Sequence, residues 1–165
     1  LQVEPPPRTF TIALPAGLQL VNANDRLHWA RKARIVRELR KAAWACARRD
    51  RVPRLECARV LVEYQPPSAS RARDAGNWAP TGKALIDGCR DAGVFPDDDS
   101  RHVVEESYRI GEPYPQGRMV LHVTEVLPGP GDARELAALG KHSPRHAGSR
   151  LSGVRVTRRG DHCER

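Results

Sequence analysis

The run Leu127-Pro128-Gly129-Pro130-Gly131 constrains this chain more than any other feature, because no regular helix or strand passes through two prolines and two glycines in five residues. The sequence from there to Arg165 is rich in Gly, Ser, Arg and His and lacks apolar periodicity, so residues 127–165 are read as a basic, disordered tail. A helical window at Asp132 to Leu139 is too short to persist without docking. Folding is thereby confined to residues 8–126. With 39% hydrophobic and only 5% aromatic residues overall, the chain has material for one modest core.

Within it, strand and helix patterns alternate. Thr9 to Leu14 is β-rich and alternating, and Pro15 ends it. Asn22 to Arg26 is a polar loop with capping residues. From Leu27 to Arg49, Trp29, Ala33, Val36, Leu39, Ala43 and Cys46 or Ala47 recur at spacings of three and four, which predicts a helix. Cys57 to Tyr64 alternates, with Val60, Val62 and Tyr64 on one face and Arg59, Leu61 and Glu63 on the other, and Pro66-Pro67 stops it. A second helix is expected from Pro80 to Ala92 with Gly93 as its C-terminal cap. His102 to Ile110 and Arg118 to Val126 read as two strands, and the Gly111 to Gly117 loop between them suits a hairpin. The order β-α-β-α-β-β predicts an α/β (α+β) domain, a small mixed sheet with two helices on one side.

The net charge of +8 and a pI near 9.9 point to an anionic partner, most often nucleic acid. The charge is unevenly divided. Eight basic and four acidic residues from position 127 onward put +4 on the tail, while residues 26–59 hold twelve basic and three acidic side chains and residues 74–125 hold five and ten. A basic first helix and an acidic second half suit two tasks, gripping phosphate and holding cations; the alternative is that both are solvated faces.

No run approaches the roughly 18–20 apolar residues needed to span a bilayer, and no secretory signal is evident near Leu1. Cys46, Cys57, Cys89 and Cys163 lie 11, 32 and 74 positions apart, which is neither a zinc-ligand spacing nor a disulfide framework. They are read as reduced thiols, and a cytoplasmic location with no membrane partner is expected.

The chemistry is concentrated in one block. Arg71-Ala72-Arg73-Asp74-Ala75-Gly76-Asn77-Trp78 is followed by Lys83-Ala84-Leu85-Ile86-Asp87-Gly88 and then by Asp91-Ala92-Gly93-Val94-Phe95-Pro96-Asp97-Asp98-Asp99-Ser100. An Asp follows an arginine-rich loop, a helix carries Lys83 and Asp87 on one face, and a Gly-ended helix delivers three consecutive carboxylates. Carboxylates gathered from two loops can hold Mg²⁺, which takes hard oxygen ligands. Such an ion binds a phosphodiester oxygen and lowers the pKa of an attacking water.

These residues carry a family resemblance. Arg-x-Arg-Asp-x-x-Asn, then Lys-Ala-x-x-Asp-Gly, then Asp-Ala-Gly-Val-x-x-Asp-Asp is similar to the pattern of the RusA family of Holliday junction resolvases, the crossover junction endodeoxyribonucleases. The Leu14-Pro15 turn, the Asn22 to Arg26 loop with its basic helix and the closing strand Met119 to Glu125 extend the likeness over residues 9–126. The resemblance implies a homodimeric, Mg²⁺-dependent endonuclease, with Mn²⁺ able to substitute, that cuts four-way DNA junctions in recombination and repair. It also implies roles for individual residues. Asp74 matches the first metal-binding aspartate and Asp98 the last, with Asp97 before it; Lys83 matches the catalytic helix lysine, Asp87 the helix acid and Asn77 the motif asparagine. Arg71 and Arg73, beside the site, and Arg31 and Arg34 of the first helix are the expected DNA contacts, with Arg37 and Lys41 as further candidates.

Two departures stand out. Gly76 occupies the position of the family's second metal-binding aspartate and offers no ligand, and Ala79-Pro80-Thr81 is an insertion ahead of the lysine helix. The loss of one carboxylate weakens a small Mg²⁺ site, so junction resolution with reduced or absent activity is the expectation. The alternatives are a non-catalytic branched-DNA-binding protein and a protein-interaction module with no DNA role. Among other residues, Trp29, Trp44 and Trp78 are expected in the core or at a dimer contact, Phe95 in the core, and none of the six histidines has ligand spacing.

Overall fold

The computed structural model describes residues 6–70 and 72–127. Arg71 and the tail from residue 128 onward, with the expectations attached to them, lie outside the described residues. The elements are β1 (Thr9–Ala13), α1 (Trp29–Arg49), β2 (Ala58–Gln65), a 3₁₀ turn (Ala75–Trp78), α2 (Ala79–Asp91), β3 (Val103–Ile110) and β4 (Arg118–Glu125). Their order and kind are those expected: a mixed four-stranded sheet with two helices.

Local chemistry explains the helix ends. The His28 side chain accepts a hydrogen bond from Ala30 N at the start of α1, and Arg48 and Arg49 face the negative end of its dipole. Pro80 stands in the first turn of α2, where its missing N–H costs nothing. Beyond α2, Gly93 takes φ +85°, the left-handed conformation that closes a helix at least cost when there is no Cβ.

The sheet order is β1-β4-β2-β3, with β2 and β3 parallel and the other pairs antiparallel. This corrects the expected β3–β4 hairpin. Because α2 carries the chain back to run β3 parallel to β2, both strands finish at the same end of the sheet. The Gly111–Gly117 loop then passes around the end of β2: Gly111 N donates to Tyr64 O and Tyr114 N to Pro66 O, at 2.8 and 2.9 Å. β4 thus enters on the far side of β2, between it and β1.

One sheet face carries Phe10 and Ile12 of β1, Val60, Val62 and Tyr64 of β2, Tyr108 and Ile110 of β3 and Met119, Leu121 and Val123 of β4. Against it pack Ile35, Leu39, Ala43, Cys46 and Ala47 of α1 and Ala84, Leu85, Ile86 and Cys89 of α2, with Phe95 buried among them as expected. The helices approach closely at Gly88, where an added Cβ would lie 2.8 Å from Ala43 Cβ and closer still to the Arg40 carbonyl oxygen. Trp29 and Trp44 are not core residues; they are 76% and 45% exposed. The buried stripe of α1 runs from Ile35 to Ala47, and Trp29, which shares the angular position of Ala47 at about 100° per residue, stands in the first turn of the helix ahead of that stripe.

The opposite face is polar, and β2 places Glu63 there as expected, yet the side chain is only 5% exposed. Glu63 accepts from Gln65 Nε2 at 2.6 Å, Arg109 Nε at 3.0 Å and His122 Nε2 at 3.1 Å, so the buried charge is fully paired. Burial pushes its carboxyl pKa up, but these bonds together outweigh it and hold the pKa below its ordinary value.

Candidate functional site

The polar loop before α1 is fastened to the start of α2 by a buried hydroxyl. Thr81 Oγ1 accepts from Val21 N and donates to Val21 O, both at 2.9 Å, and Ala23 N donates to Asn77 O at 2.8 Å. The first turn of α2, Ala79-Pro80-Thr81, thus supplies the anchor that brings Asn22 and Asp25 beside the Asp74 turn.

Asp74 caps the 3₁₀ turn, its Oδ1 accepting from Gly76 N at 2.9 Å. It lines a cleft of about 610 Å³ together with Asn22, Asp25, Arg73, Asn77 and Gln116. The floor is Tyr64 against Trp78, with ring centroids 4.2 Å apart. Arg73 holds the loop by donating from Nη1 to Ser68 O at 3.0 Å. Gly76 does not need to be glycine for its backbone conformation. A Cβ there would stand 3.3 Å from Asp74 Oδ1, so a carboxylate at position 76 would lie beside that of Asp74.

A second cluster forms where α2 meets the loop after it. Lys83 and Asp87 share a helix face at i and i+4. Lys83 Nζ lies 3.1 Å from Asp87 Oδ1 and donates to Asp98 Oδ2. Asp98 Oδ1 accepts from Arg90 Nη1 at 2.7 Å, and Asp98 N donates to Asp97 Oδ1 at 2.8 Å. Arg40 of α1 closes the network, hydrogen-bonded to Asp91 and 3.9 Å from Asp87. The Asp98 side chain is 14% exposed. The Lys83 hydrogen bond, opposed by burial and reinforced by Arg90, holds its carboxyl well below the usual range, and Lys83 is raised in turn, chiefly by the same bond.

The fold therefore brings together Lys83, Asp87, Asp97 and Asp98, while Asp74 lies in the cleft whose lining includes none of them. Arg31 and Arg34 are exposed on α1. Arg90 and Arg40 were missed by sequence reasoning. Arg90 lies seven residues after Lys83 and hence on the same face, a readable signal; Arg40 comes from the other helix, and no local pattern reveals it.

The oxygen donors suit Mg²⁺ in type but not in arrangement. The Lys83 ammonium stands between the carboxylates of Asp87 and Asp98, the place a cation would take, and among the described residues no three His, Cys, Asp or Glu side chains are grouped to hold an ion. As arranged, these residues do not fit a three-carboxylate site. Among the described residues no helix is long and apolar enough to cross a membrane. No known family model matches the chain, and no curated protein matches it.

Proposed function

We propose that this chain is a RusA-like endodeoxyribonuclease acting on four-way DNA junctions, as a cytoplasmic homodimer, with activity reduced by the glycine at position 76. The observation that supports this reading is the convergence of Lys83 and Asp87 from one element of the resemblance with Asp98 from the next at one partly buried point. An ammonium held there can meet a phosphodiester oxygen and stabilise charge developing on it. Asp74, in its cleft next to Arg73, is the remaining acid of the set. With Gly76 beside it and Lys83 filling the gap between Asp87 and Asp98, the arrangement favours binding of a junction over its rapid hydrolysis. A two-fold dimer suits a junction that presents two equivalent strands.

The test is nicking of a synthetic four-way junction and of a linear duplex of equal length, in Mg²⁺ and in Mn²⁺, by the parent chain and by Asp98→Asn. Slow nicking confined to the junction and lost in Asp98→Asn is expected. Junction affinity without nicking in either metal would establish the non-catalytic alternative. No preference for the junction over the duplex would overturn the reading.

A further inference from the structure

Of the six cations of α1 that take no part in the networks described above, four share one side of the helix. Arg34, Arg37, Lys41 and Arg48, with Trp44 among them, follow spacings of three, four, three and four. At 100° and 1.5 Å per residue they form a band about 80° wide and about 21 Å long. All five are exposed, on the side of the helix away from Ile35, Leu39, Ala43 and Cys46. The ion pairs of α1 are made by Arg40 and Arg49, and among the described residues none is made by these four. The single acid of the helix, Glu38, lies off the band. The charge that α2 and its loop neutralise internally is thus left uncancelled here.

An exposed indole among unpaired cations narrows the choice of partner. A second copy docking face to face would oppose four cations to four. A bilayer would have to admit Lys41 and Arg48, which neighbour Trp44 at i−3 and i+4. A duplex offers phosphates but keeps its base faces stacked. A single strand offers both phosphates and open π-faces, which cationic grooves with interleaved aromatics are suited to hold.

We propose that the outer face of α1 binds single-stranded nucleic acid, with Trp44 stacking on an unpaired base and Arg34, Arg37, Lys41 and Arg48 pairing with the flanking phosphates. The inference involves none of Asp74, Lys83 and Asp98, and although Arg34, Arg37 and Lys41 are also candidates for junction contact, it requires no hydrolysis.

The experiment is fluorescence anisotropy of a labelled dT oligomer of about 12 nucleotides, within the usual range of single-strand site sizes, titrated with the full chain over a series of salt concentrations. A duplex of the same length and phosphatidylglycerol vesicles serve as comparison probes. The single strand binds more tightly than the duplex. Trp44→Ala raises Kd about tenfold, the lower part of the range for loss of one base stack, and Trp44→Phe, which keeps a ring, recovers most of the affinity. An Arg37→Gln/Lys41→Gln double variant lowers the magnitude of the log K against log salt slope by about 1.4, two contacts at ~0.7 each. Unchanged circular dichroism and melting of the variants confirm that they fold. Affinity of Trp44→Ala within twofold of the parent, equal affinity for duplex, or vesicle binding in place of oligomer binding overturns the inference. Asp98→Asn leaves oligomer affinity unchanged, so failure here and failure of the nuclease reading are separable.

Discussion

Gly88→Ala tests the packing that positions the candidate site. In a free helix the change would stabilise the chain by about 1 kcal/mol through helix propensity alone. Here the new Cβ would lie 2.8 Å from Ala43 Cβ and nearer still to the Arg40 carbonyl oxygen, and that oxygen is backbone and cannot swing aside. Ordinary carbon contacts need ~3.5 Å or more, so the helices must part by about 1 Å, which forfeits up to about half the dispersion energy of each contact across the seam. Overpacking of this kind costs about 3 kcal/mol at the upper end of its usual range. The net loss is ~2 kcal/mol, and with an unfolding entropy near 2 cal/mol/K per residue over roughly 120 residues it lowers Tm by about 8 °C. Gly82→Ala is the internal comparison. Its Cβ would meet the Tyr108 ring and hydroxyl at 2.8 Å, the far end of a side chain that can rotate, so the cost there is smaller and partly offset by propensity. Thermal melting followed by circular dichroism reads both. A Tm for Gly88→Ala equal to or above the parent's, or a larger loss for Gly82→Ala, would refute the reasoning. Because α2 carries Lys83 and Asp87, Gly88→Ala should also disturb their contact with Asp98 and weaken any nicking, with displacements of this size able to cost two orders of magnitude in rate.

Three further outcomes follow from the same structure. Gly93→Ala meets no atom within 4 Å but must hold φ +85°, so it destabilises by ~1–2 kcal/mol through backbone strain alone, with Gly93→Asn milder, as denaturant melts will report. Glu63 has a folded pKa below its ordinary 4.5, so its contribution to stability is complete above about that pH and is lost as the pH falls through the folded value. Glu63→Gln should therefore flatten the acid limb of a stability-against-pH series between about pH 5 and pH 3, and an unchanged slope would show that the carboxylate is not so held. Cys89 is buried and its thiol pKa is pushed up to about 12, so in thiol titration of the native chain at pH 8 it reacts only at the rate of unfolding, as do the buried Cys46 and Cys57.

The fold was legible where the signal is local. Alternation in Cys57 to Tyr64, periodicity from Leu27 to Arg49 and the Gly93 stop all reappear as element bounds within a residue or two. What escaped was long-range. The position of β4 depends on the loop passing around β2, and a seven-residue connection with two prolines reads equally as a hairpin. Trp29 was drawn into the apolar stripe because hydrophobicity at the right spacing does not reveal whether anything packs against the first turn of a helix. The candidate site was half visible: Lys83, Asp87 and Asp98 come together as motif order suggested, but Arg90 and Arg40, which share their charge, do not belong to any recognised pattern. The role of Ala79-Pro80-Thr81 could not be read from the sequence, because Thr81 holds the N–H and carbonyl of Val21, sixty residues away.

The proposal that the glycine at position 76 lowers a junction-nicking activity has one direct test. A carboxylate there would stand beside Asp74, where a Cβ lies 3.3 Å from its Oδ1 and where no positive φ forbids a side chain. Single-turnover nicking of a synthetic four-way junction in Mg²⁺ should be at least about tenfold faster for Gly76→Asp than for the parent, equivalent to ~1.4 kcal/mol of barrier, with junction affinity unchanged in the absence of metal. Equal rates for the two chains would contradict the account.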